Sequence, residues 1–251
     1  MFRTWKTALA LSTALLLLAA ACGGDSDGNG GGDDTAREIS NEELAQMVLA
    51  PEQFGPEYVG FTSDPDNSGA LNLDTASEDD FDPAAERADL EAFGFASGYQ
   101  AYFTSGQGTE AGTRSLGSDV GVFQTADSAA QYFGDSTAEI KDYIGKTSEG
   151  FTIVEAEEFD LESTADEAVG LRAVSRFTSE DGTTTDIWIV GTSFRRGRLL
   201  GGLTIYAIGA SDLEKQRLQG IATVLTSTMN NRVGTVLAAG AATAAPAAAG
   251  P

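Results

Sequence analysis

The 251-residue chain carries 38 acidic residues against 15 basic ones, a formal net charge of -23, and it has one cysteine and no histidine. Its acidity excludes nucleic acid, whose phosphates need clustered Lys and Arg, and the missing histidine excludes Ser-His-Asp and Cys-His catalysis, histidine-bearing zinc sites and a histidine pH switch. A hydrophobic content of 41%, with 13 Phe and 6 Tyr, is too rich for a disordered chain and predicts a folded domain with a real core.

Met1 to Lys6 carries two positive charges, Ala8 to Leu18 is apolar, and Ala19, Ala20 and Ala21 are small. This three-part pattern predicts a secretory signal over residues 1–21. Its apolar segment is short of the roughly 18 residues that a membrane-spanning helix needs. The small residues ahead of Cys22 resemble the lipobox of bacterial lipoproteins, although Ala19 stands where that family most often has leucine; Gly23, Gly24 and Asp25 after it are typical. The resemblance implies that Cys22 receives a diacylglyceryl group and tethers the mature chain to the membrane on its extracytoplasmic face. Two acyl chains supply the double anchor that stable attachment requires.

Residues 22–38 read as a flexible linker of Gly, Asp, Ser and Asn. Asp25, Asp27, Asn29 and Gly30 match the opening of an EF-hand loop, but its twelfth position is Ala36 in place of a bidentate glutamate. The folded domain is then expected over residues 39–233. Ser40 and Glu43 have the spacing of a capping box, predicting a short helix with Leu44, Met47 and Val48 on one face and Pro51 at its close. Asp64, Asp66 and Ser68 alternate ahead of Gly69 as calcium-loop ligands would, but Thr75 occupies the twelfth position, which makes this a weak calcium candidate and a more ordinary polar turn. The acidic run from Asp74 to Glu91 reads as a solvated loop passing into a helical turn.

Two β-rich stretches follow, Phe95 to Thr104 and Arg114 to Thr125, joined by the glycine-rich turn SGQGTEAG. Phe95, Tyr99 and Phe103 share one parity, as do Val120, Val122 and Gln124, which predicts a hairpin with one buried face. Ala129, Ala130, Phe133, Thr137, Ile140 and Ile144 have helical spacing, and Gly145 is placed to end that helix. Phe151 to Phe159 reads as a further strand. After the acidic loop Asp160 to Glu167 comes an antiparallel meander, Leu171 to Phe177, Thr184 to Phe194 and Leu199 to Ile208, with Trp188, Val190, Leu203 and Ile205 as inward residues. A second capping box at Ser211 and Glu214 opens the last helix, whose stripe is Leu218, Ile221, Ala222, Leu225 and Met229. Residues 234–251 read as a disordered Ala, Gly and Pro tail.

The order of elements predicts an α+β fold, an antiparallel sheet with helices on one or both faces, built from two strand-strand-helix units. The ADEAV loop at Ala165 to Val169, ahead of a meander whose turn carries arginine, is similar to small lipoproteins and extracytoplasmic sensor-like domains of bacteria. Some of those adopt a PsbP-like sandwich. This resemblance spans about Ser40 to Val233 and carries no diagnostic motif, so it implies no site residue.

Without histidine or a thiol in the domain, an enzyme would have to work with carboxylates, Lys, Ser, Thr or Tyr, and the sequence has no G-x-S-x-G, S-x-x-K or phosphate loop. The expectation is therefore a non-catalytic domain that needs no cofactor and binds a small molecule, lipid or protein. Alternatives are a carboxylate hydrolase of envelope glycans and a structural or assembly subunit of an envelope complex. Arg195, Arg196 and Arg198 interrupt the acidic background in one turn: they form a candidate contact for an anion or partner, beside the plainer reading of a polar hairpin turn paired internally with the excess carboxylates.

Overall fold

The computed structural model describes residues 37–78, 82–105, 112–139, 144–148, 150–179 and 181–244. Cys22, the expected signal, the expected linker up to residue 36 and residues 245–251 lie outside them. The fold is α+β, built on one open antiparallel sheet. Its strands are β1 (Thr62–Ser63), β2 (Gly69–Leu71), β3 (Phe95–Thr104), β4 (Gly112–Phe123), β5 (Thr147–Ser148), β6 (Phe151–Phe159), β7 (Glu167–Thr178), β8 (Thr184–Arg196) and β9 (Leu199–Ile208). They lie in the order β1-β3-β4-β9-β8-β7-β6-β5, with β2 also paired to β3. The meander β6 to β9 thus returns to the hairpin, and the β4–β9 pairing joins the two halves. The order ends in two-residue strands, β1 against Phe103 and Thr104 of β3 and β5 against Phe151 and Thr152 of β6.

Helices cover both faces. On the first lie α1 (Asn41–Met47), α2 (Pro51–Phe54) and α6 (Asp212–Ala244), burying Leu44, Met47 and Phe54 with Trp188, Val190, Leu203, Ile205 and the stripe of α6. On the second lie α3 (Leu73–Ser77), α4 (Pro83–Ala92) and α5 (Ala126–Glu139), burying Ala76, Leu90, Tyr132 and Phe133 with Phe123, Ile189 and Tyr206. The expectation of one buried face is corrected here. Segments such as IWIV and LTIYAI are continuous apolar runs because neighbouring residues serve opposite cores, as strands covered on both sides do. Phe95 also leaves the parity of Tyr99 and Phe103. An irregularity in register between Phe95 and Ser97 turns it onto the second face.

Local chemistry explains most boundaries. The Ser40–Glu43 capping box forms in both directions, the Glu43 amide donating to Ser40 at 3.3 Å and the Ser40 amide to the Glu43 carboxylate at 2.9 Å. Pro51 does not close that helix; it opens α2 at its first position, where a missing N–H costs nothing. The acidic run resolves into two helices, because Asn72 and Asp82 are N-caps, bonding Asp74, Thr75 and Ala85 amides, and Pro83 follows directly. In α5 the buried stripe includes Tyr132, which the sequence reading left out, whereas Ile144 is exposed and Ile140 is not among the described residues. The last helix does not decay after Val233. It runs to Ala244, since alanine is the best helix former and Val236 and Leu237 still pack on the first core, with Gly240 lying against Arg37 and Glu43. No described helix is long and apolar enough to cross a membrane.

Two cross-strand pairs set phenylalanine directly against glycine, Phe194 with Gly201 and Phe159 with Gly170. A Cβ on Gly201 would sit 2.5 Å from Phe194 Cζ, closer than any relaxed contact. Gly201→Ala is therefore expected to lower stability by about 1–3 kcal/mol through overpacking. Urea unfolding of Gly201→Ala, Phe194→Leu and the double variant checks this: the two effects should be non-additive, with the double variant recovering part of the loss.

Candidate functional site

Strand β4 lies between β3 and β9, and its register sets Asp119 opposite Gln100 on one side and Gly202 on the other. Even-numbered residues Leu116, Val120 and Val122 belong to the first core; Phe123 belongs to the second. The odd position of Asp119 accordingly places its carboxyl on the second face. Gly117 and Gly121 flank it along the strand and Gly202 lies across it; the Tyr102 ring lies over Gly117 and the Phe95 ring over Gly121, where an added Cβ would come within 3.3 and 3.1 Å of them. Beside it lies a recess in the sheet, walled by Leu71 of β2, Ala76 of α3, Leu90 of α4, Phe95 of β3, Phe123 of β4 and Leu200 of β9. Its volume is about 40 Å³, space for a few water-sized groups at roughly 10–15 Å³ each.

The polar side chains on this wall are Asp119, Glu86 and Tyr132. Glu86 accepts a short hydrogen bond from the Tyr132 hydroxyl. Asp119 has no hydrogen bond or ion pair with any described residue. Asp119 is half-buried: part of its surface stays accessible along the recess, and apolar groups surround the rest. Burial pushes its carboxyl up to about 7, because desolvation penalises the ionised form and nothing offsets it. Three aromatic rings complete the wall. Phe95 and Phe123 meet edge to face with centroids 5.7 Å apart, and Phe123 and Tyr132 are tilted at 4.9 Å. Among the described residues no Lys or Arg lines the recess.

The arginines proposed from sequence do not assemble into an open anion site. Arg195 donates to Glu167, to Asp166 at 3.2 Å and to the Gly197 carbonyl at 3.0 Å. Arg196 reaches Asn230 of α6 at 3.3 Å, and Asn230 in turn donates to Thr164. Arg198 is buried, donating to the Phe123 carbonyl at 3.2 Å and to the Arg37 carbonyl. In a chain this acidic, guanidinium forks find carboxylates and carbonyls of their own fold first. They tie the β8–β9 turn to its surroundings.

The DPDNSG loop is likewise occupied with its own closure. Asp64 caps the 3₁₀ turn Pro65–Asn67, accepting from the Asp66 amide at 3.1 Å and the Asn67 side chain at 2.9 Å. Ser68 accepts from the Tyr102 amide and donates to its carbonyl. Among the described residues no three His, Cys, Asp or Glu side chains are grouped to hold a metal ion.

No protein-family model matches this sequence, and no curated protein matches it. Among solved structures the chain is similar to the extracellular domain of PknH from Mycobacterium tuberculosis, at 11% identity and a TM-score of 0.47, over 78% of this chain and 98% of that one. The di-domain ARO/CYC BexL from the BE-7585A biosynthetic pathway gives 9% identity and a TM-score of 0.14, over 68% of this chain and 78% of that one. Both scores are too low to transfer a site.

Proposed function

We propose that this chain is a non-catalytic binding domain held on the extracytoplasmic face of the membrane by a lipidated Cys22, with the Asp119 recess as its ligand site. The observation that carries the binding reading is Asp119 itself. An unpartnered carboxyl in an apolar wall costs free energy that a fold does not need, and such a group is a common mark of a functional site. The anchor is supported by the leader: a charged start, an apolar core, three alanines and then the chain's one cysteine.

Hydrolysis of an envelope glycan has one feature in its favour, since Asp119 and Glu86 line the same recess and glycosidases use paired carboxylates. A recess with space for a few waters does not admit a sugar ring, and Glu86 is engaged by Tyr132. Binding is therefore the reading supported best.

Two measurements test the proposal. Cys22→Ala is expected to move the protein from the detergent phase to the aqueous phase on partitioning; a variant as membrane-bound as its parent ends the lipoprotein reading. For the site, native mass spectrometry of protein taken from its own membrane should show a small-molecule adduct on the parent that is absent from Leu90→Trp, which plugs the recess. An adduct equally present on both variants rules the recess out.

A further inference from the structure

We infer that the ligand group received by the recess is a small organic ammonium, seated among Phe95, Phe123 and Tyr132 and facing the Asp119 carboxylate. This rests on the recess being the binding site and names the chemistry it selects. Anions are disfavoured, because two carboxylates line the wall and, among the described residues, no cationic side chain does. A neutral apolar group would fill the space but leave the Asp119 carboxyl unpaired, at the full cost of its desolvation. An ammonium ion meets both features at once: the carboxylate gives a charge-assisted hydrogen bond, and ring faces attract cations, most strongly where water is excluded. The rings are already packed against one another at 5.7 and 4.9 Å, so ligand binding does not have to order them.

The carboxylates have different duties. Glu86 on α4 is held by Tyr132 on α5, leaving Asp119 as the partner for the cation. Among the described residues those two are also the titratable groups facing Asp119 from the covering helices; across the sheet it has Gln100 and Gly202, which carry no charge. Ammonium binding is thus coupled to ionisation of Asp119, and its affinity rises with pH through neutrality.

Ethylammonium chloride and ethanol, equal in size and different in charge, are suitable probes for the full chain in methyl NMR titrations at constant ionic strength. At pH 8 ethylammonium is expected to shift the Leu71, Ala76 and Leu90 methyl signals saturably, with ethanol producing at most a tenth of that affinity. Asp119→Asn should weaken ethylammonium at least tenfold, and lowering the wild type to pH 5.5 should do the same. If ethanol binds as well as ethylammonium and Asp119→Asn changes nothing, the recess remains a binding site but its selectivity for ammonium is overturned. If neither probe moves those methyls, or ethylammonium moves only exposed signals, both the ammonium assignment and the recess as a site are overturned. The comparison of the two probes on the wild type stands even if the variant does not fold.

Discussion

Between pH 5 and pH 8 the unliganded protein is expected to lose stability, and Asp119→Asn is expected to remove most of that loss. In the folded chain burial pushes Asp119 up to about 7, against 3.8 for the free group. Between these values the native state holds a proton that the unfolded chain has released. The contribution is fully present below the unfolded value and disappears as pH rises through the folded one. At about 1.4 kcal/mol per pH unit the difference amounts to roughly 4 kcal/mol at most. The formal charge of -23 adds general repulsion that also grows with pH, so the wild-type curve alone does not isolate Asp119. The difference between wild type and Asp119→Asn in urea unfolding at several pH values does, because the surface is common to both. Parallel curves would refute the assignment.

Acid should produce a separate decline, with the opposite sign. The Ser179 hydroxyl, with the Thr183 amide, holds the Asp181 carboxyl down at about 2, and Arg176 and Arg217 lower Asp186 and Glu214. Such groups contribute above their ordinary range and lose that contribution as falling pH protonates them in the native state. Maximum stability is therefore expected between the two limbs, in mildly acid solution.

How far these features were legible in the sequence depended on how local their cause was. The meander was readable from strands whose large residues alternate between two turns, and Ser40 with Glu43 gave the first helix start, because hydrogen bonds over three residues decide a cap. Coverage of the second face was readable only in part, from the helical spacing after Ala126 that set a helix over the hairpin. It depends on α3, α4 and α5 folding back over the sheet, and two of those helices sit in an acidic run whose composition suggests a solvated loop. Their caps, Asn72 and Asp82, were the overlooked signal.

Asp119 was missed for the same reason. With Val120 and Val122 taken as the inward positions, an odd-numbered residue on β4 belongs to solvent, where an aspartate is unremarked. Once both faces are covered, the same alternation places it inside. The available clue was a lone carboxylate between Gly117 and Gly121 in an apolar strand, a pattern that lets the Tyr102 and Phe95 rings lie close over the backbone beside it. The arginine turn admitted two readings, an anion or partner contact and a polar turn paired with the chain's own carboxylates; sequence could not name the partners, since Asp166 and Asn230 are 29 or more residues away from it.

Phe123→Ala should cause the largest loss of stability of any single substitution in the recess wall, about 3–5 kcal/mol for a buried ring removed from a packed core. Phe123 is 1% exposed and its ring bridges Phe95 and Tyr132, so the void left behind opens directly onto the Asp119 recess. Water entering this enlarged space would solvate the carboxyl and draw it back toward the ordinary carboxylate range. Two readings should consequently move in different directions. The urea midpoint falls, while the stability that remains becomes less dependent on pH between 5 and 8. Phe123→Leu, which keeps most of the volume, should cost less and preserve the pH dependence. A Phe123→Ala variant that loses stability with an unaltered pH dependence would show that the ring supports the core without enclosing Asp119, and the desolvation of that carboxyl would then have to arise from Leu71, Leu90 and Leu200 instead.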